Sequence, residues 1–188
     1  MKKFALALLF CGASAFATTI TFSTTALFSG PDANGTGSEL ISGSTTLSFT
    51  GVSGETVTAP SGITIGAITT SATGPLSTGS YAGDSVTLTF NQTSPSVGTE
   101  PTTATVTGAV SYTNNAINLV FSPQTFMIGQ ASYTLLGDYP LVAPSVNAGA
   151  GPGVTELTAF VTAPEPASLG LLGASLLGLG AAFRRRKA

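Results

Sequence analysis

Val86-Thr87-Leu88-Thr89-Phe90 alternates apolar and hydroxylated side chains residue by residue. In a strand, successive side chains point to opposite faces, so Val86, Leu88 and Phe90 share one side and Thr87 and Thr89 the other. A period of two predicts a half-buried β-strand. Threonine suits the wet face, because it keeps β-propensity without adding much apolar surface.

The pattern recurs in both directions. Before it, Ile20 and Phe22 alternate with Thr, followed by Thr45, Leu47 and Phe49, then Ile63 and Ile65. After it, Ala104, Val106, Gly108, Val110 and Tyr112 read as one continuing strand. Ile117, Leu119 and Phe121, then Phe126 and Ile128, then Ala131, Tyr133 and Leu135, and finally Leu157, Ala159 and Val161 complete the series. Asn114-Asn115, Gly83-Asp84, Gly137-Asp138 and Gly151-Pro152-Gly153 read as turns. Roughly eight to ten short strands at this spacing predict a mainly β chain, a single antiparallel β-sandwich or jelly roll over residues 18–163. A disordered Ser/Thr stalk is the alternative, but it would lack the alternation that Phe49, Phe90, Phe121 and Phe126 display.

The two ends follow different chemistry. Residues 1–17 read as a signal peptide: Lys2-Lys3 is a basic start, Phe4 to Phe10 an apolar run, and Ala15-Phe16-Ala17 an A-x-A cleavage site. Cys11 falls inside the segment to be discarded, and the mature chain is expected to begin at Thr18. At the other end, residues 164–188 open with Pro164-Glu165-Pro166, where the two prolines prevent an earlier helix start. Residues 167–183 are free of charge and, at about 17 residues, stand at the lower limit for a transmembrane helix. Gly170, Ala174, Gly178 and Ala182 recur every four residues and would line one helix face, permitting close helix approach in lipid. Arg184, Arg185, Arg186 and Lys187 follow at once and would stay cytoplasmic, which places residues 18–163 outside.

A Pro-Glu-Pro tripeptide, a short Gly/Leu/Ala span and a terminal basic cluster, in that order, resemble the PEP-CTERM sorting signal. The resemblance covers about the last 25 residues. It implies recognition by an exosortase, a membrane-embedded cysteine protease-transpeptidase, with processing near Pro164–Pro166 and delivery to the bacterial surface among exopolysaccharide. An ordinary tail anchor is the alternative, and it would need neither the tripeptide nor so short a span.

Without its ends the chain changes character. All six basic residues lie in them, and residues 18–163 contain no Lys, Arg, His, Cys or Trp. Asp32, Glu39, Glu55, Asp84, Glu100, Asp138 and Glu156 give that region a formal charge of −7. Nucleic-acid binding needs cations to displace counterions from phosphates, so that class is excluded. A Ser or Thr nucleophile would have no His or Lys base, and zinc chemistry built on His and Cys has no ligands. No P-loop lysine or phosphate clamp is present.

What the residues leave open is oxygen chemistry. Asp32, Asn34 and Glu39 space oxygen donors through a Gly-rich stretch, a weak calcium candidate beside the alternative of a turn using local backbone bonds. Apart from that candidate, no cofactor is expected. Two carboxylates alone can hydrolyse glycosides, so a carboxylate-only glycoside hydrolase is a remote alternative. The expectation is a non-enzymatic, exported surface or matrix protein handled by signal peptidase and exosortase. A carbohydrate- or calcium-dependent binding module is the second expectation.

Overall fold

The strand read at Val86–Phe90 extends from Ser85 to Ser94, with Val86, Leu88 and Phe90 buried. Its inward series runs one step further, to the fully buried Gln92. The structure, a computed structural model, describes residues 18–74, 77–107, 109–111, 114–115, 117–144, 151–163 and 173, with the backbone alone within 101–116.

Residues Thr18–Ala163 form one compact unit. In chain order its strands are β1 (Thr18–Ser29), β2 (Glu39–Ser42), β3 (Thr45–Gly51), β4 (Glu55–Ala59), β5 (Ser61–Ala72), β6 (Thr78–Ser80), β7 (Ser85–Ser94) and β8 (Gly98–Thr107). Then come β9 (Ala109–Ser111), β10 (Asn114–Asn115), β11 (Asn118–Ser122), β12 (Thr125–Ile128), β13 (Ala131–Leu135), β14 (Asp138–Pro140) and β15 (Gly153–Thr162). One six-stranded sheet has the order β14-β11-β8-β7-β1-β4, and a second the order β12-β13-β15-β5-β3-β2. Three short strands, β10-β9-β6, make a third sheet. All these pairings are antiparallel. The chain passes repeatedly between the two large sheets, as at β3–β4, β4–β5, β13–β14 and β14–β15.

The alternating residues explain this layering. Ile20, Phe22, Leu88, Phe90, Leu119 and Phe121 from the first sheet join Leu47, Ile65, Phe126, Tyr133, Leu157 and Val161 from the second in one buried cluster. Rings meet across the interface, Phe90 with Phe126 at 4.8 Å and with Tyr133 at 5.3 Å, and Phe22 with Tyr133 at 6.3 Å. Each such side chain contributes on the order of 1.5–3 kcal/mol by leaving water, which neither sheet alone could gain.

Register is not uniform along β5. Leu157 pairs with Gly66 but Thr158 with Thr64, so Ile65 is the extra residue of a β-bulge. Ile65 and Gly66 are both buried, and beyond them Ile68 and Thr70 face inward. The bulge therefore switches the parity of the buried face. Gly66 has φ 142°, and a Cβ there would strike the Phe49 ring at about 2.5 Å. The buried Thr24 on β1 accepts from Val52 N–H at 3.1 Å and donates from Oγ1 to the carbonyl of Ile65, tying the two sheets at the bulge.

Two local expectations are corrected. Residues 104–112 do not form one strand: β8 pairs with β7 and β11, whereas β9 pairs with β6 and β10 in the third sheet. Asn114–Asn115 is not a turn but a short strand paired with Ser111 and Val110. The signal peptide at 1–17 and, apart from Gly173, the membrane helix at 167–183 lie outside the described residues. Among the described residues no helix is long and apolar enough to cross a membrane.

Candidate functional site

The loop between β1 and β2 carries the predicted oxygen donors, and local bonds explain its shape. Asn34 Oδ1 accepts Ser38 N–H and the Thr36 hydroxyl, each at 3.0 Å, and Asn34 Nδ2 donates to Ser38 Oγ at 3.1 Å. Asn34 N–H donates to the carbonyl of Glu39 at 3.0 Å, where β2 begins. This is the turn chemistry of a short polar side chain closing its own loop. Among the described residues, no three His, Cys, Asp or Glu side chains gather as a metal site.

Asp32 meets a different acid. Asp84 ends the turn before β7, where its N–H donates to the Tyr81 carbonyl at 3.3 Å. Its side chain is only 1% exposed. Asp84 Oδ1 accepts the backbone N–H of Asp32 at 3.1 Å, while the buried Oδ2 receives no hydrogen bond. Gly30 makes room for this carboxyl: it sits at φ 129°, and a Cβ there would collide with Asp84 Oδ1. Burial pushes the Asp84 carboxyl above its ordinary value; the Asp32 N–H opposes that, and the charge and side-chain contact of Asp32 add to it. Tyr81 lies close by, fully buried, and donates to Thr45 Oγ1 at 2.8 Å while Thr45 donates to the Ser42 carbonyl. Burial raises its phenol above the ordinary value, and the charges of Asp32 and Asp84 add to that.

The pairing of Asp32 with Asp84 joins residues 52 positions apart. No local pattern announces it, and Gly83-Asp84 reads in sequence only as a turn.

A second feature lies on the outer face of the second sheet. Phe160 on β15 is 49% exposed and stands in register between Thr134 on β13 and Gly62 on β5. With Thr64, Leu136 and Thr158 these residues border an open groove of about 320 Å³. Its chemistry is an aromatic face, a glycine gap beside it and a rim of hydroxyls.

The remaining predicted residues, Ala15 and Ala17, Pro164, Glu165 and Pro166, Gly170, Ala174, Gly178 and Ala182, and Arg184, Arg185, Arg186 and Lys187, lie outside the described residues. The comparisons bear on the tail. Residues 162–187 match the family model for the PEP-CTERM protein-sorting motif. The match opens at Thr162, the last residue of β15. Such a motif marks an exported protein for exosortase-mediated processing at the membrane. No curated protein and no solved structure matches the chain significantly.

Proposed function

We propose that residues 18–163 are a non-enzymatic β-sandwich of the bacterial surface or extracellular matrix, held among exopolysaccharide. The observation that carries this reading is the sorting motif at 162–187, which starts where the last core strand ends. Signal peptidase would remove residues 1–17, and the helix at 167–183 would hold the chain in the membrane until exosortase acts near Pro164–Pro166. The core itself supports the absence of catalysis. Three of its buried polar groups, Thr24, Thr45 and Gln92, hold strands to strands and loops.

Intact-mass measurement of the exported protein, from hosts with and without exosortase, tests this. The expected product lacks residues 1–17 and ends near Pro164–Pro166 only where the enzyme is present. A surface fraction that retains Arg184–Ala188 would overturn the sorting.

The groove at Phe160 favours a second reading, a carbohydrate-binding module. Sugar rings stack on exposed aromatic faces while hydroxyl rims supply hydrogen bonds. Pull-down of the exported protein on purified exopolysaccharide decides it, and failure of wild type to bind removes this reading.

A further inference from the structure

We propose that Asp32 and Asp84 bind a calcium ion that clasps the β1–β2 loop to the turn before β7. The inference is independent of the sorting and glycan readings. Asp84 is 1% exposed, and its Oδ2 is buried without a hydrogen-bond donor. A buried carboxylate oxygen in that condition is costly unless a positive group meets it. The backbone N–H of Asp32 lies 3.1 Å from Asp84 Oδ1, and the Asp32 carboxyl is near enough for its charge to act on Asp84.

No side chain of this region can supply the missing charge, because residues 18–163 contain no Lys, Arg or His. The counter-charge must come from outside, as a proton or as a metal ion. One shared proton would leave the pair with a net negative charge, in a region whose other five acids have no basic side chain to offset them. A divalent cation neutralises both carboxylates and satisfies Oδ2. All the available donors are oxygens, which suits a hard cation, and the irregular set fits the flexible coordination of calcium better than the strict octahedron of magnesium. The same turns also carry the carbonyls of Gly30 and Tyr81, each engaged by a single long bond of 3.3 Å. Cation binding here would order the loop that Asn34 closes from within, adding a second tie between β1–β2 and β7.

The test uses the full chain in mild detergent, stripped of metal with a chelator. Terbium, a calcium mimic excited through nearby tyrosine, should bind saturably and be displaced by calcium; Tyr81 is the expected sensitiser. Calcium at roughly one hundred times its Kd should raise Tm by about 5–10 °C. Asp84→Asn and Asp32→Asn should each abolish that rise, whereas Glu156→Gln, an exposed acid on β15, should keep it. Asp32→Asn guards against a folding defect, since it keeps the backbone N–H that Asp84 accepts. A Tm indifferent to calcium would mean that a proton closes the pair, and would overturn the proposal. So would a calcium shift that survives in both Asp variants.

Discussion

Tyr133 Oη donates to Gln92 Oε1 at 2.7 Å, from one large sheet to the other, and neither residue has any exposed surface. Gln92 uses its other end as well: Nε2 donates to the carbonyl of Ser96 at 2.8 Å and to Ser96 Oγ at 3.1 Å. A polar side chain in the middle of an aromatic cluster is tolerated because both ends of its amide are satisfied. Tyr133→Phe should therefore cost about 1–3 kcal/mol, the penalty for stranding the Gln92 carbonyl. Gln92→Leu should cost a similar amount, and the double variant less than the two together. Urea unfolding of the four proteins measures the coupling. Strict additivity would mean that the bond does no work across the interface.

The same tyrosine predicts alkaline behaviour. Burial pushes the Tyr133 phenol up to about 12, from an ordinary 10.0. Between those values the folded chain holds a proton that the unfolded chain has released. Stability is then fully present below pH 10, declines above it, and is lost as pH rises through about 12. Tyr81 and Tyr139 are raised in the same direction by burial. Phenolate absorbance should thus rise together with loss of near-UV circular dichroism. Phenolate formed by Tyr133 near pH 10 in a protein with intact tertiary signal would contradict its burial.

Which parts of this were legible in sequence follows from what alternation can and cannot encode. Val86, Leu88 and Phe90 announce their face, and position 92 falls on the same parity, so a reader who extends the series finds Gln92 pointing inward. Ile63 and Ile65 are read correctly, but the bulge at Ile65–Gly66 resets the parity, and nothing before Gly66 warns that Ile68 and Thr70 are the next inward residues. Alternation also continues from Val106 to Val110 although the chain changes sheets between them, because pairing partners leave no local trace. The Asp32–Asp84 contact is illegible for that reason too. Its only hints are the two glycines, Gly30 and Gly83, both at positive φ, that shape the turns carrying the acids. The sorting motif of the tail is legible because such a motif resides in composition and order rather than in tertiary contacts.

The bulge itself offers a test. Thr24→Val keeps shape but removes the acceptor of Val52 N–H and the donor to the Ile65 carbonyl, and should cost about 1–3 kcal/mol. Gly66→Ala must strain a backbone at φ 142° and push the Phe49 ring, at a cost on the order of 1–3 kcal/mol. The neighbouring Thr25→Val, on the exposed face of β1, should stay within about 0.5 kcal/mol of wild type. Urea midpoints of the three variants rank these effects. Equal midpoints for Thr24→Val and Thr25→Val would remove the inter-sheet role of Thr24.

Phe160 separates adhesion from stability. It sits on the outer face of β15, half exposed and apart from the buried core cluster, so Phe160→Ala should lower stability by no more than about 0.5–1 kcal/mol. If the groove holds sugar rings, the same change should reduce retention on exopolysaccharide by roughly tenfold, the equivalent of about 1.4 kcal/mol of lost stacking. Gly62→Val offers an independent route, since it fills the position paired with Phe160 while leaving Phe160 itself unchanged, and nothing lies within 4 Å of the Cβ it adds. Both variants should keep the wild-type Tm within a few degrees while losing retention. Undiminished retention by both would place any glycan contact elsewhere on the surface and leave Phe160 as an exposed aromatic without a ligand.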